Sequence, residues 1–244
     1  MIRLIVPSFS EDLLERFFWS LHTNDLDSVG AVIVGDNGLP EHMRRRWPEA
    51  QYVNIPQPFI YAQAINRCAA AAGQDDLLIL EDDMLMLTPH WRSTLERFME
   101  RWPADYGVVQ IATTADPEVK RDEIRESLTT VGLGVSLIPR RVWNAVGTMD
   151  ERYVGYGYED TDYCVRLLHA GYRIGVTGAV LVEHRGGQIG YTRRLGSYEA
   201  VLEQCRVNRD LFYKKWGIPA PADGEIRFEP APPHLTRATC GCRP

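Results

Sequence analysis

The chain of 244 residues is poor in cysteine and has no long apolar run. Its five cysteines are odd in number and widely spaced, which argues against a disulfide scaffold and favours a reducing compartment. No segment approaches the ~18–20 apolar residues that span a bilayer. Residues 2–6 form a strand pattern rather than a secretory signal. We therefore expect a cytoplasmic protein without a transmembrane segment.

Basic residues are outnumbered: 27 Lys and Arg face 33 Asp and Glu, for a net formal charge of −6. This balance disfavours a general polyanion binder, although a local basic patch stays compatible with it. The 45% hydrophobic and 25% charged residues are ordinary globular values, which excludes a fibrous or wholly disordered chain.

Several nucleotide and hydrolase motifs are missing from the sequence. It has no Gly-x-x-x-x-Gly-Lys loop, no Gly-x-Gly-x-x-Gly after the first strand and no Gly-x-Ser-x-Gly element. The P-loop, dinucleotide-binding and α/β-hydrolase interpretations therefore lose support. Cys240 and Cys242, with His234 upstream, resemble half of a zinc site that no second pair completes.

Apolar runs alternate with helical periodicity in the first half. Strands are predicted near 2–6, 30–35, 51–55 and 77–80, and helices near 11–22, 40–47 and 61–72. This alternation predicts an α/β fold with a mostly parallel central sheet flanked by helices. Ligands of such sheets bind beyond the carboxyl ends of the strands.

The second half is less regular. It predicts strands near 107–111, 172–176 and 179–183, helices near 91–102, 160–169 and 197–216, and a surface loop over 112–130. From Gly217 onward prolines cluster, which predicts an irregular tail.

Three adjacent carboxylates, Glu81, Asp82 and Asp83, directly follow the strand at 77–80. They repel one another, and a bound Mg²⁺ or Mn²⁺ would relieve that repulsion. A solvated acidic turn is the alternative. Further along, Asp160 follows two glycines and two tyrosines, and is either a helix N-cap or a general base.

His184 ends an apolar strand and precedes Gly186 and Gly187. One imidazole joining carboxylates makes a sensible Mn²⁺ site, although a lone histidine is more often structural. Arg193 and Arg194 in the following loop could close over a diphosphate.

Taken in order, these pieces resemble the family 2 glycosyltransferases of the GT-A fold over residues 2–190. The similar segments are residues 5–10, 32–38, 62–67, 80–83, 146–160, 167–171 and 182–184. Glu81 stands where the Asp-x-Asp motif of the family usually has Asp, so Asp83 is the safer metal ligand. Residues 155–160 are also similar to the Trp-Gly-x-Glu/Asp elements of galactosyl- and N-acetylgalactosaminyltransferases.

The resemblance assigns a role to each candidate site residue. It implies Asp160 as the catalytic base. It implies that the metal ligands are Asp83, His184 and Glu81. It implies that the donor nucleotide is bound by Pro7, Ser8, Phe9, Asp36, Asn66, Asp82, Arg193 and Arg194. It implies that the acceptor is bound by Tyr156, Gly157, Tyr158 and Glu159.

The same resemblance implies a metal-dependent, inverting glycosyltransferase of the hexosyltransferase class. It would use Mn²⁺ or Mg²⁺ and move a sugar from a nucleotide diphosphate, with UDP favoured, to an acceptor hydroxyl. The acceptor could be a glycan, a lipid-linked glycan, a protein or a small molecule, while the net charge disfavours a nucleic acid. We expect a catalytic domain over 1–216, with a nucleotide-binding half (1–111), an acceptor-side half (112–196) and a C-terminal helix (197–216), followed by a Pro-rich tail (217–244).

Two alternatives stay open at this point. One is a non-catalytic protein that binds nucleotide sugars or carbohydrate on the same fold. The other is a sugar nucleotidyltransferase, although the acidic loop after the first strand, Glu11 and Asp12, would repel a triphosphate. The sequence leaves the oligomeric state open.

Overall fold

Buried strands alternate with amphipathic helices in the computed structural model, which describes residues 1–115, 119, 121, 123–185, 192 and 195–219. The strands are β1 (Ile2–Ser8), β2 (Val32–Asp36), β3 (Gln51–Asn54), β4 (Asp76–Leu80), β5 (Met84–Met86), β6 (Tyr106–Thr113), β7 (Ile124–Glu126), β8 (Val135–Ile138) and β9 (Arg173–His184). The helices are α1 (Glu11–Asn24), α2 (Glu41–Arg46), α3 (Tyr61–Ala71), α4 (Trp91–Glu100), α5 (Arg140–Val146), α6 (Glu159–His169) and α7 (Tyr198–Trp216), with a 3₁₀ helix at Leu26–Ala31.

These strands form one mixed sheet in the order β3-β2-β1-β4-β8-β6-β9-β5, and β7 also pairs with β9. The first four strands are parallel, as the βαβ pattern predicts. Beyond β4 the pairing is mostly antiparallel, because β8 inserts between β4 and β6 and runs against both. The prediction of a mostly parallel sheet therefore applies to the first half, and the whole sheet is mixed.

Both faces of the sheet are covered by helices, so the strands are apolar on both sides. On one face, alternate strand residues such as Leu4 and Val6 pack with α1, α2 and α4. On the other face, Ile5 and Ile79 pack with α3, α5 and α6. This gives three layers around two cores, as the α/β prediction requires.

Two local predictions differ from the structure. The strands expected at 172–176 and 179–183 are one continuous strand, β9, which pairs with β6 on one edge and with β5 and β7 on the other. The loop expected over 112–130 contains the short strand β7. Continuity of β9 matters, because it carries His184 to the end of the sheet.

Helix α7 adds a third, smaller cluster at the edge of the molecule. Its Phe212 packs with Tyr153, Tyr158 and Val165, so the helix lies against α6 and the segment before it. Among the described residues, no helix is both long and apolar enough to cross a membrane. Most of the predicted tail, residues 220–244, lies outside the described residues, and the division into two halves stays a prediction.

Candidate active site

A cavity of about 480 Å³ opens where β1 and β4 end. Side chains from both halves of the chain line it, and each half contributes both carboxylates and aromatic groups. The candidate residues among its lining are Pro7, Phe9, Glu81, Asp82, Asp83, Tyr156, Gly157, Tyr158, Glu159, Asp160 and His184. The structure thus brings most of the predicted site into one cavity.

Glu81, Asp83 and His184 form the candidate metal group. One ligand atom from each lies within 4.8 Å of the other two, and Nε2 of His184 is 3.2 Å from Oδ2 of Asp83. Antiparallel pairing of β5 with β9 places His184 opposite Met84, one residue from Asp83. The backbone N–H of Arg185 also donates to the Asp83 carbonyl at 3.0 Å, which fixes this corner.

The polar atoms of this group fit a divalent cation. Oδ1 of Asp83 is buried, and no described residue hydrogen-bonds to it. Burial, followed by the charges of Asp83 and Asp160, raises the pKa of Glu81 well above its ordinary value. The hydrogen bond with Asp83 raises the pKa of His184. Two carboxylates and one imidazole are a suitable ligand set for Mn²⁺ or Mg²⁺.

Gly134 is the residue behind the Glu81 carboxylate. A Cβ atom at this position would lie 2.5 Å from Oε1 of Glu81, which is far inside van der Waals contact. The Gly134 carbonyl also accepts the backbone N–H of Glu81 at 2.9 Å. The absence of a side chain at 134 therefore creates the space in which Glu81 lies.

Glu159 and Asp160 form a second carboxylate pair at the N-terminus of α6. Burial, followed by the charge of Asp160, raises the pKa of Glu159. Burial also raises the pKa of Asp160, against a hydrogen bond from the Leu133 backbone that lowers it. Oε2 of Glu159 and Oδ1 of Asp160 are buried and accept no hydrogen bond from any described residue. Such a carboxylate is a strong proton acceptor once it is ionised.

The segment before this helix, residues 155–158, has an unusual backbone. Gly155, Gly157 and Tyr158 all have positive φ, at 77°, 91° and 73°. For Tyr158 this left-handed conformation is strained and needs support from its surroundings.

Helix α7 supplies that support through Asn208, whose residue is 1% exposed. Nδ2 of Asn208 lies 2.9 Å, 3.1 Å and 2.9 Å from the carbonyl oxygens of Val154, Tyr156 and Gly157. One amide therefore donates to three backbone carbonyls of the segment that leads into Glu159. The aromatic ring of Tyr158 also packs against Phe212, with centroids 5.7 Å apart.

The donor side of the cavity is apolar at its rim. Phe9 packs edge-on against Phe59, with ring centroids 5.1 Å apart, and both line the cavity beside Pro7. Ser8 lies behind them, fully buried, and its hydroxyl donates to Oδ2 of Asp82 at 2.6 Å. Burial raises the pKa of Asp82 to about 7, although that hydrogen bond lowers it. Ser8 thus orients Asp82 from behind the cavity.

Two residues that are predicted to bind the donor, Asp36 and Asn66, are not among the residues that line the cavity. Oδ1 of Asp36 accepts the backbone N–H groups of Gly38 and Leu39, and its Oδ2 pairs with Arg44. Neither oxygen of this buried carboxylate is left without a protein partner, so Asp36 stabilises the turn after β2. Asp36 is not among the residues that line the cavity, and its contact with the nucleotide stays a prediction.

Asn66 also lies away from the cavity lining. Its amide donates to the Met149 carbonyl and to Oε1 of Glu151, both at 2.9 Å, and its Oδ1 accepts the Met149 N–H. It ties α3 to the segment after α5 and is not among the residues that line the cavity, and its contact with the donor stays a prediction. Arg193 and Arg194 lie outside the described residues, and their roles stay predictions.

Several lining residues are not foreseen by sequence reasoning. These are Leu13, Phe59, Tyr61, Met84, Gln110, Val131, Gly132, Gly134, Val135, Thr161 and Cys205, whereas Thr113 and Thr130 lie within the predicted surface loop over 112–130. A usable signal exists for Asn208, because it lies at helical spacing from Val201, Cys205 and Phe212. A lone polar residue on an otherwise apolar stripe indicates a buried hydrogen-bond donor.

Residues 120–186 match the family model described as the N-terminal domain of galactosyltransferase, which is less than a third of the chain. This span includes Gly134, residues 155–160 and His184. None of the curated protein sequences matches the chain.

Solved structures give a broader likeness. GalNAc-T7 with UDP, GalNAc and Mn²⁺ has a TM-score of 0.59 and 12% identity, over 90% of this chain and 51% of that one. The mannosyltransferase PcManGT from Pyrobaculum calidifontis, with GDP-Man and Mn²⁺, has a TM-score of 0.56 and 17% identity, over 84% of this chain and 64% of that one. The catalytic domain of Drosophila beta1,4galactosyltransferase 7, with xylobiose, has a TM-score of 0.51 and 19% identity, over 78% of this chain and 72% of that one.

The chain has the GT-A glycosyltransferase fold. It spans about half the length of the GalNAc-T7 chain that it matches. The predicted fold class is thereby confirmed. The sequence match lies with a galactosyltransferase family, so membership in family 2 specifically stays a prediction.

Proposed function

We propose that the protein is a metal-dependent, inverting glycosyltransferase of the hexosyltransferase class. It moves a sugar from a nucleotide diphosphate, with UDP favoured, to an acceptor hydroxyl. The observation that carries the proposal is one cavity in which the group Glu81, Asp83 and His184 faces the buried pair Glu159 and Asp160. The likeness to structures that contain UDP or GDP-Man with Mn²⁺ supports the same activity.

Asp83, His184 and Glu81 would hold Mn²⁺ or Mg²⁺. A divalent cation at such a site neutralises the negative charge of a departing nucleoside diphosphate. The protein's own part is to keep the three ligands together on the paired strands β5 and β9. Without Gly134, the Glu81 carboxylate could not occupy its place in this group.

Asp160 acts as the general base in this proposal. Its carboxylate takes the proton of the acceptor hydroxyl as the oxygen attacks the anomeric carbon. Burial favours the protonated product of this step, because it raises the pKa of Asp160. A single displacement by the acceptor oxygen inverts the anomeric centre.

The remaining cavity residues bind the two substrates. Pro7 and Phe9 contact the nucleoside, and Asp82, held by Ser8, contacts its ribose or diphosphate. Tyr156, Gly157, Tyr158 and Glu159 contact the acceptor, which is a glycan, a lipid-linked glycan, a protein or a small molecule. Arg193 and Arg194 are proposed to contact the diphosphate from outside the described part of the chain.

The direct test is turnover of nucleotide sugars by the full chain. UDP-galactose, UDP-GalNAc, UDP-glucose and GDP-mannose are incubated with a panel of sugar acceptors, with either Mn²⁺ or EDTA, and nucleotide release is measured. We expect Mn²⁺-dependent release of one nucleotide, and a product whose anomeric configuration by NMR is opposite to that of the donor.

Asp83→Asn is the variant that should lose this activity, and Asp210→Asn, on the exposed side of α7, is its matched control. Retention of the anomeric configuration would overturn the inverting mechanism. Equal turnover in EDTA, or in Asp83→Asn, would overturn the metal-dependent site. Saturable binding of a nucleotide sugar without any turnover would favour the non-catalytic alternative.

A further inference from the structure

A second pocket, of about 330 Å³, lies outside the candidate active site and is basic where the first is acidic. Its lining comes from α4 and the residue that follows it, from the turn after β5, from β9 and from Arg121, which precedes β7. The lining side chains include Arg97, Arg101, Phe98, Leu87 and Leu181. We call it the arginine pocket, after Arg97, Arg101 and Arg121.

Of the described residues that line this pocket none is a carboxylate, although the whole chain has a net formal charge of −6. Among the described residues, Arg97 has one hydrogen-bond partner, the hydroxyl of Thr94 at 3.3 Å, and neither Arg101 nor Arg121 has an ion-pair partner. Most other guanidinium groups around α1, α2 and β9, such as those of Arg44 and Arg173, are paired with acids. The arginine pocket therefore concentrates positive charge that forms no ion pair with the described residues.

Helical spacing builds one wall of the pocket. Thr94, Arg97, Phe98 and Arg101 recur at intervals of three and four residues, which places them on one face of α4 and its C-terminal end. Guanidinium groups and an aromatic ring are thus next to each other on this wall.

The opposite wall is apolar and accessible. Leu87 and Leu181 are 40% and 36% exposed, which is high for leucines beside a concave surface. The Leu181 N–H donates to the hydroxyl of Thr88 at 2.8 Å, which joins the turn after β5 to β9 and fixes this wall. A ligand that matches both walls carries an anionic group and an adjoining apolar group.

The pocket lies close to the candidate active site along the chain. Both β5 and β9 run between them: Met84 and His184 are at the acidic cavity, while Leu87 and Leu181 are at the arginine pocket. Three residues of extended strand span about 10 Å. A ligand in the arginine pocket would thus lie about the length of one or two sugar residues from the candidate metal group.

We propose that the arginine pocket is a binding site for a phosphorylated amphiphile. Guanidinium groups bind phosphate oxygens in pairs, and three of them suit a group that carries more than one negative charge. Phe98, Leu87 and Leu181 supply the contact for the apolar part of the ligand. This inference is independent of the glycosyltransferase proposal, because it uses none of the residues of the acidic cavity.

The test measures binding of n-octyl phosphate, below its micelle concentration and in EDTA, by titration calorimetry on the full chain. The double variant Arg97→Gln/Arg101→Gln removes two guanidinium groups of the pocket. Arg16→Gln/Arg45→Gln is the control, since it makes the same change in net charge at exposed arginines on α1 and α2. Binding of inorganic phosphate measures the contribution of the anionic group alone, and binding of octyl glucoside measures that of the alkyl chain without a phosphate.

We expect saturable binding of octyl phosphate to the wild type and to the control. In the pocket variant it should weaken by at least about 10-fold, because charge-assisted hydrogen bonds are lost. Inorganic phosphate should bind more weakly than octyl phosphate, and octyl glucoside should not bind. No saturable binding to the wild type, or equal binding by both double variants, would overturn the proposal.

Sedimentation with phosphatidylglycerol vesicles, against phosphatidylcholine vesicles, distinguishes the two sources of such a ligand. Binding of phosphatidylglycerol vesicles that the pocket variant loses and the control keeps assigns the pocket to membrane headgroups. Binding of octyl phosphate without vesicle binding assigns it to a free phosphorylated amphiphile. Both outcomes support the phosphate site.

Discussion

Acidic side chains lie on two sides of the first turn of α6, and they differ in their hydrogen-bond partners. On one side, Asp162 accepts hydrogen bonds from the Tyr153 hydroxyl, Trp216, Lys215 and Arg166, at 3.1 Å, 2.8 Å, 2.6 Å and 3.1 Å. Its carboxylate is fully buried and fully paired with side chains, which anchors α7 to α6.

On the cavity side of the same helix, Glu159 and Asp160 have no cationic partner among the described residues. Their charges raise the pKa of Glu81, and the charge of Asp160 also raises the pKa of Glu159. Burial without compensation raises the pKa values of this cluster, whereas Asp162 is compensated on every side. We infer that the paired Asp162 stabilises the fold, while the unpaired Glu159 and Asp160 are available to substrates and to a metal ion.

Removing an unpaired acid from the cavity should change activity more than any other substitution considered below. Asp160→Asn should lower kcat by about 10²–10⁴-fold, since it removes the proposed general base. Thermal stability of the metal-free protein should not fall, because an unpaired buried acid is removed. Initial rates and a melting curve on the same preparation measure both effects. Near wild-type turnover would remove Asp160 from this role.

The same substitution at the paired residue Asp162 should lower the stability of the protein rather than its turnover. Asp162→Asn should lower the free energy of unfolding by about 3–5 kcal/mol, because it leaves buried cations without their partner. Urea denaturation measures this. The control is Asp105→Asn, whose ion pair with Arg173 is exposed and should change stability by less than about 1 kcal/mol. Equal effects of the two variants would contradict the assignment.

A smaller effect is expected where α7 holds the segment between the two clusters. Asn208→Ala should lower the free energy of unfolding by about 1–3 kcal/mol, since three partly buried carbonyls lose their donor. It should also raise the KM for the acceptor more than that for the donor, because residues 155–158 contact the acceptor in our proposal. Val207→Ala, at a 53% exposed neighbour, is the control for loss of side-chain volume. An unchanged KM for the acceptor would make Asn208 purely structural.

A still smaller effect is expected in the pH dependence of stability. The pKa of Asp150 is lowered, whereas the pKa values of Glu159 and Asp160 are raised. Hydrogen bonds from Arg152, and to a lesser extent Lys215, hold the pKa of Asp150 below its ordinary value, against the opposing effect of burial. A lowered pKa in the folded state stabilises the protein above the unfolded pKa of about 3.9, and this contribution is lost as pH falls below it. Asp150→Asn should therefore be less stable than wild type at pH 7 and should approach it at low pH, as followed by melting curves. A stability difference that does not change with pH would contradict this.

Local sequence patterns predict the first half of the fold well. Strands such as β1 and β4 are short apolar runs, and the helices between them have clear periodicity, so parallel pairing follows from connectivity. Asp82 and Asp83 are found for the same reason, because they directly follow β4. The order of the second half depends instead on β8 entering between β4 and β6, and no local pattern specifies that choice.

The same limit applies to the site. His184 lies 101 residues from Asp83 in the chain, and the sequence predicts their meeting only through resemblance to known enzymes. The burial of Asp36 against Arg44, and the role of Asn66 in tying α3 to Met149, depend on packing that spacing does not reveal. Gly134 is likewise informative only once Glu81 is seen against it.

In our proposal, the unpaired acidic cavity binds a nucleotide diphosphate together with a divalent cation. The most direct measurement is the thermal shift of wild type and Asp83→Asn with UDP and GDP, each with and without Mn²⁺. We predict that one nucleotide stabilises the wild type only with Mn²⁺, by about 2.7 kcal/mol at 100 times its Kd, and that Asp83→Asn loses this shift. No shift with either nucleotide, or the same shift in Asp83→Asn, would contradict the account.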